Sequence, residues 1–415
     1  MSAPALERAQ VQHRTVRVLA LGQVLGGVAF GATVSLGALL AADISGEESL
    51  SGFATASVTL GAALCAIPLA RLAAARGRRV ALTLGNLFAL VGIAIVITAA
   101  AMRVFPLLLV GVVLIGAGNA GNLQSRFAAT DLAESAHRGR DLGVVVWATT
   151  VGGVLGPLLL TPGEALGRVV GMPPLTGAYL FSIVAQTAAL ALYLIALRPD
   201  PLLLAQRLAR DDARVALPGA DVDRPVAARY AMLAVAASHV VMASVMAMTP
   251  VHLQHLAHAG HAGHGGATEA VTLLVGITIA LHVLGMYGLS PVFGWLADRW
   301  GRVRVVLLGQ AVLATSLLIA STWPGERMAV VAALFLLGLG WSASTVSGAA
   351  LLTESTPLAP RPRRQGMSDT LMTASAAVGA VLAGLVLGQW GYGVLALTGL
   401  ALVALTTLLS PLGRR

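Results

Sequence analysis

Twelve apolar runs occupy most of this chain, each close to the ~20 residues that a helix needs to cross a bilayer. They lie at residues 18–42, 50–69, 80–101, 105–123, 142–160 and 176–197, then 230–251, 271–293, 305–322, 328–351, 370–387 and 394–409. In hydrocarbon every backbone polar group must be satisfied inside its own segment, so such runs fold as helices. The 415 residues leave only short connections besides, with no room for a sizeable water-soluble domain. A composition that is 57% hydrophobic and 11% charged also has too little polar surface to cover a globule in water. The expected fold class is an all-α membrane protein: twelve transmembrane helices in two six-helix, pseudo-symmetric bundles.

The basic residues number 27, and every one is an arginine placed between or at the ends of apolar runs. With the N-terminus in the cytoplasm, 24 of the 27 fall on that side, and only Arg103, Arg168 and Arg327 fall opposite. Such a bias orients membrane helices. The formal charge of +9 is therefore read as topology, and no nucleic-acid partner is expected. The expectation is a multi-pass protein of the cytoplasmic (inner) membrane with both termini cytoplasmic. Arg8, Arg14 and Arg17 precede an apolar run too long for a signal-peptide core, which reads as an uncleaved first span. Cys65 is the single cysteine, so neither an intrachain disulfide nor a Cys-x-x-Cys pair can form.

The longest polar connection divides the chain into an N-terminal six-helix bundle (1–197), a cytoplasmic linker (198–229) and a C-terminal six-helix bundle (230–415). The halves echo one another. Gly77-Arg78-Arg79 matches Gly301-Arg302-Val303-Arg304 at an offset of 224, and Gly116-Ala117-Gly118 matches Gly338-Leu339-Gly340 at 222. Internal repeats of this kind mark transporters.

After the eighth run comes Gly294-Trp295-Leu296-Ala297-Asp298-Arg299-Trp300-Gly301-Arg302-Val303-Arg304. It resembles the G-x-L-a-D-r-x-G-r-k signature of the major facilitator superfamily, which implies the two-bundle fold and transport by alternating access. Gly294, Asp298, Arg299, Gly301 and Arg302 are the expected conformational latch, with Asp298 meeting arginines and the positive N-terminus of a neighbouring helix. The first-half counterpart, Ala70 to Arg79, has Ala70 and Ala74 where the signature has glycine and aspartate. Gly152, Gly153, Gly156 and Pro157 resemble part of a G-x-x-x-G-P motif known from exporters of the same superfamily.

Two metal-capable pairs sit at i, i+4 spacing, which places each pair on one helix face: Met242 with Met246, and His282 with Met286. His239 falls on the stripe of Met242 and Met246. Thioethers with imidazole suit Cu(I) far better than magnesium, calcium or manganese. The alternative is that methionine fills gaps in an apolar core. The M-x-x-x-M and H-x-x-x-M pattern looks like the CcoA-type bacterial copper importers, and Met242, Met246, His282 and Met286 are carried over from that resemblance. Between them, His252, His255, His258, His261 and His264 repeat every third residue and would gather metal at the entrance, or form a low-complexity loop with incidental affinity.

No H-E-x-x-H, no phosphate-binding loop and no pair of carboxylates within one span is present, so an enzyme is not expected. The reading is a secondary transporter importing copper, with a proton-coupled exporter of drugs or small metabolites as the alternative. Copper would be cargo, with no cofactor required. Copper ion and membrane lipid are the expected partners, and no copper chaperone or acceptor can be named from the sequence. Asp369 is the best-placed intramembrane carboxylate.

Overall fold

A computed structural model describes residues 3–47, 50–213, 223–260 and 266–415. The apolar runs become helices. In order they are α1 (Ala3–Ser45), α2 (Ser51–Arg76), α3 (Arg78–Met102), α4 (Phe105–Ala128), α5 (Arg138–Leu158), α6 (Leu160–Val169) and α7 (Tyr179–Ala196). Then follow α8 (Pro201–Ala213), α9 (Pro225–Gly260), α10 (Gly266–Tyr287), α11 (Ser290–Trp300), α12 (Arg302–Thr322), α13 (Arg327–Glu354) and α14 (Arg361–Leu408).

Among the described residues nine helices are long and apolar enough to cross a membrane, or ten when the bent pair α5 and α6 is taken as one span. The arrangement is consistent with twelve crossings. Helix α14 runs 48 residues but is broken at Gly391, whose φ of 81° no side-chain-bearing residue adopts readily, so it supplies two runs. Helix α1, with 43 residues, carries the first run. The break at Gly288 and Leu289 divides the eighth run between α10 and α11.

Helices α1 to α7 enclose one set of apolar clusters, including Leu36, Leu40, Ile93, Leu108 and Val112. Helices α9 to α14 enclose another around Val241, Leu313, Leu317, Leu334 and Leu337. Lipid is as apolar as leucine, so the helices associate through close packing at small residues instead. In α4, a Cβ on Gly116 would collide with Val58 of α2, and one on Gly118 with Ala89 and the Gly85 carbonyl of α3. In α13, Gly338 meets the His282 carbonyl of α10, and Gly340 meets Leu313 and the Gly309 carbonyl of α12. The sequence repeat is thus a repeat of packing: each half threads one glycine-ridged helix between two neighbours.

The expected linker is not a bare loop. It holds α8, and α9 begins at Pro225, ahead of the first apolar residue expected for the second bundle. Asp200 accepts the Leu202 and Leu203 N–H groups at the start of α8 and the Arg79 N–H at the start of α3, 2.7 Å away. At the other end Asp223 pairs with Arg364 at 2.6 and 2.8 Å. The hydrogen-bonded guanidinium holds the Asp223 carboxyl below the usual carboxylate range.

Candidate functional site

Arg8, Arg78 and Arg302 reach Leu132, Gln365 and Ser135 at the arginine-rich end of the molecule, and there the two helix groups meet at pseudo-equivalent places. Where α5 crosses α11, Gly139 and Gly294 approach so closely that a Cβ on either would strike the other's carbonyl oxygen, and Gly143 lies against Ser290. The first turn of any helix leaves N–H groups without intrahelical partners. Asp298 fills that need from the opposite group, accepting the Gly139 N–H at 2.9 Å and the Arg140 N–H at 2.8 Å. Arg302 pairs with Asp298 at 2.9 Å, donates to the Ser135 carbonyl at 2.6 Å and lies 3.2 Å from Glu354. Arg299 instead lies over the Trp295 ring, 5.4 Å from its centre.

Where α2 crosses α14, the counterpart of Asp298 is Ala74. Here Gly366 packs on Ala70 and the Ala66 carbonyl. Arg78, fully buried, donates to Asp131 at 2.8 Å and across to Gln365 at 2.6 Å. Its pairing with Asp131 repeats the Arg302 and Glu354 pairing of the other half.

One layer deeper the two groups share an ion pair. Arg126 of α4 donates to Asp369 of α14, both buried, and its Nη2 is 3.8 Å from the Met372 sulfur. Asp369 Oδ2 and Arg126 Nε are buried with no hydrogen-bond partner among the described residues. His239 of α9 and Tyr287 of α10 lie within range of the Arg126 charge. Trp341 of α13 joins them: its indole N–H donates to His239 Nδ1 at 2.8 Å, and Tyr287 meets its ring edge-on at 5.7 Å between centres. Arginine, carboxylate, imidazole, indole and phenol from both groups therefore share one layer of the interior.

The methionine and histidine set lies beside this layer. Met242 and Met286 are buried in the apolar cluster with Leu334, Leu337 and Trp341, and Met246 packs against it. His282 is wholly buried; its Nδ1 is 2.7 Å from the Leu334 carbonyl, and its Nε2 has no partner among the described residues. A carbonyl only accepts, so Nδ1 of His282 carries the proton and Nε2 a lone pair. At His239 the indole only donates, so Nδ1 is the acceptor and Nε2 carries the proton. The two histidines hold opposite tautomers, and in this arrangement His239 offers a metal no free lone pair at Nε2.

The first part of the expected histidine-rich loop is helix: α9 continues through His252 and His255 to Gly260, and His252 stacks on Tyr392 at 4.2 Å while its Nε2 donates to the Pro324 carbonyl at 2.7 Å. His255 is exposed. His258 is described only as part of α9, and His261 and His264 lie outside the described residues. Among the described residues no cluster of three or more His, Cys, Asp or Glu is placed to hold a metal.

Arg126, Gln365, Trp341, Tyr287 and Asp200 belong to no motif that marks them in the sequence. From the sequence Arg126 reads as a loop arginine, since the apolar run before it ends at Leu123. The readable signal was its distance from the next loop: Phe127, Ala128 and Ala129 follow it without a turn residue.

The Major Facilitator Superfamily model matches residues 19–281 and 264–414. The uncharacterized MFS-type transporter YddS of Bacillus subtilis is 34% identical over 401 residues, covering 95% of this chain and 89% of that one. The riboflavin transporter RfnT of Brucella anthropi is 28% identical over 424 residues, covering 98% of each. The human organic anion transporter MFSD10 (TETRAN) shares the fold with a TM-score of 0.72 at 19% identity, covering 96% of this chain and 99% of that one. None of these three names speaks of copper. With its repeated helix groups, its shared polar layer and a family model that covers nearly its full length, the chain belongs to the major facilitator superfamily and is a multi-pass secondary transporter.

Proposed function

We propose that the protein is a proton-coupled transporter of a small organic solute, carried at the layer formed by Arg126, Asp369, His239, Trp341 and Tyr287. The observation that carries this reading is the Arg126 and Asp369 pair, buried and shared between the two helix groups. Separating a buried pair leaves an uncompensated charge, which costs several kcal/mol. The groups can part only when Asp369 takes up a proton or when Arg126 meets a replacement anion. Proton and cargo are thereby tied to one step. The Trp341 indole and the Tyr287 phenol, packed edge-on in the same layer, suit a planar ring. The relative that transports riboflavin supports cargo of this class.

The arginine-rich end faces the cytoplasm in this reading, by the charge bias of its loops, and the membrane is the cytoplasmic one. The chain divides at 1–197, 198–229 and 230–415, with α8 inside the linker. Asp298 and Arg302 act as the latch that holds the arginine-rich end shut, with Gly294 and Gly301 shaping the contact.

His282 favours a second reading, copper import through Met242, Met246, His282 and Met286. An Nδ1–H donated to a backbone carbonyl, with Nε2 left as a lone pair, is the posture of metal-ligating histidines. Uptake into sealed proteoliposomes under an imposed proton gradient separates the two, with riboflavin and Cu(I) as probes. Gradient-driven riboflavin accumulation lost in Asp369→Asn supports the first reading. Accumulation undiminished in that variant overturns it. Copper uptake that is lost in Met242→Leu and Met286→Leu, variants that nearly preserve volume while removing sulfur, supports the second.

A further inference from the structure

We infer that His239 is a specificity-determining hydrogen-bond donor, selecting a cargo whose carbonyl or carboxylate oxygen sits against its Nε2–H beside the Arg126 guanidinium. The inference rests on the organic-solute reading and adds the cargo's chemistry to it.

The argument begins with a bond that fixes a proton. The Trp341 indole nitrogen can donate but not accept, and it lies 2.8 Å from His239 Nδ1. Nδ1 must then hold its lone pair, which puts the single ring proton on Nε2. An imidazolium would carry a proton on Nδ1 as well and could not accept the indole N–H. While the bond stands, His239 is neutral and is a donor only at Nε2. Trp341 is itself held, 4% exposed and met edge-on by Tyr287.

The position makes the donor usable. His239 lies fourteen residues into α9, or ~21 Å along the helix at the standard rise. An imidazole at that depth facing lipid would be costly. Its ring instead tilts against Trp341, centres 5.7 Å apart, on α13, whose span is 72% buried. His239 is only half-buried, and no protein hydrogen bond to Nε2 occurs among the described residues. Arg126 is near enough for its charge to act on the ring, and its Nε is a second buried donor without a partner. Two donors are thus unspent in this layer, one neutral and one charged. They match an oxygen-bearing planar solute, with an anionic oxygen on Arg126 or a pair of carbonyl oxygens shared between the two.

The same geometry yields a discriminating substitution. Glutamine joins an acceptor and a donor in one side chain, so His239→Gln can take the indole N–H on its oxygen and present an N–H to cargo. Leucine can do neither. A buried neutral hydrogen bond is worth about a factor of ten in affinity.

The test uses the full chain in nanodiscs with 15N-labelled histidine, titrated with riboflavin and separately with benzoate. Expected are an Nε2–H tautomer for His239, a shift of that resonance by at least one probe, affinity within about threefold of wild type for His239→Gln, and about tenfold loss for His239→Leu. Trp341→Phe, which keeps a ring but frees the tautomer, falls between them. An Nδ1–H tautomer, equal losses for glutamine and leucine, or no shift of the resonance with either probe overturns the inference. Proton movement through Asp369, read in vesicles as a pH change on adding the same probes, is measured independently. If it persists while His239 is silent, only the donor role falls. If it is absent as well, the organic-solute reading falls with it.

Discussion

The crossing of α5 with α11 and the crossing of α2 with α14 occupy equivalent places in the repeat, yet different forces hold them. At the first, Asp298 closes the contact by accepting two backbone N–H groups from a helix end that belongs to the other group. At the second, Ala74 stands in its place, and Gly366 closes the contact by packing on Ala70. Each retains its buried arginine, Arg302 or Arg78, reaching across to a partner. One side of the seal is therefore electrostatic and directional, the other steric. A duplicated fold needs two closures of the same shape but not of the same chemistry, so the two sides respond differently to substitution.

The largest expected effect is at the electrostatic side's backbone contact. Gly294→Val places branched carbon against the Gly139 carbonyl, and overpacking of that kind costs up to about 3 kcal/mol, or a hundredfold in the closed population. Distances between spin labels on the arginine-rich ends of α5 and α11, measured by double electron–electron resonance, should lengthen. Next comes Asp298→Asn, which keeps the shape but removes the charge. About 2 kcal/mol of charge-assisted bonding is lost, a shift of about thirtyfold toward the open end. Normal closure in this variant would mean that packing alone seals both sides and the contrast is void.

The converse substitution sharpens the contrast. Ala74→Asp gives α2 a carboxylate aimed at the first turn of α14, worth at most about 1 kcal/mol, so the closed population should rise about fivefold. A fall instead would show that the α14 start cannot accept a cap. The smallest effect belongs to Arg299→Ala. Its guanidinium rests on the Trp295 ring near the surface, a contact of at most about 1 kcal/mol that does not reach across the seal. Closure within about twofold of wild type is expected by the same resonance measurement.

The membrane class, the helix order and the repeat were legible because hydrocarbon imposes one local rule on every span. The polar layer was not. Arg126 sits three residues beyond an apolar run and reads as a loop arginine until Asp369, 243 positions later, is brought beside it. Asp298 was visible from its motif, but its acceptor role at Gly139 and Arg140 was not, because backbone N–H groups leave no mark in a sequence. The same holds for the histidines. His239 and His282 look alike as letters, and only Trp341 and the Leu334 carbonyl make one a donor and the other an acceptor. The linker helix α8 was missed because thirteen residues with Asp, Arg and Gln on one face lack the length of a span.

That every buried cation named here is an arginine has an energetic consequence. A guanidinium keeps its proton across the whole range in which a cell or an assay operates. The pairs formed by Arg78, Arg126 and Arg302 therefore have only one member able to change charge, and that member is always the acid. Acidity can neutralise these pairs, whereas alkalinity leaves them intact. If the protein is the proton-coupled transporter proposed above, the compartment from which Asp369 can be reached at a given moment sets the sense in which a gradient drives the cycle.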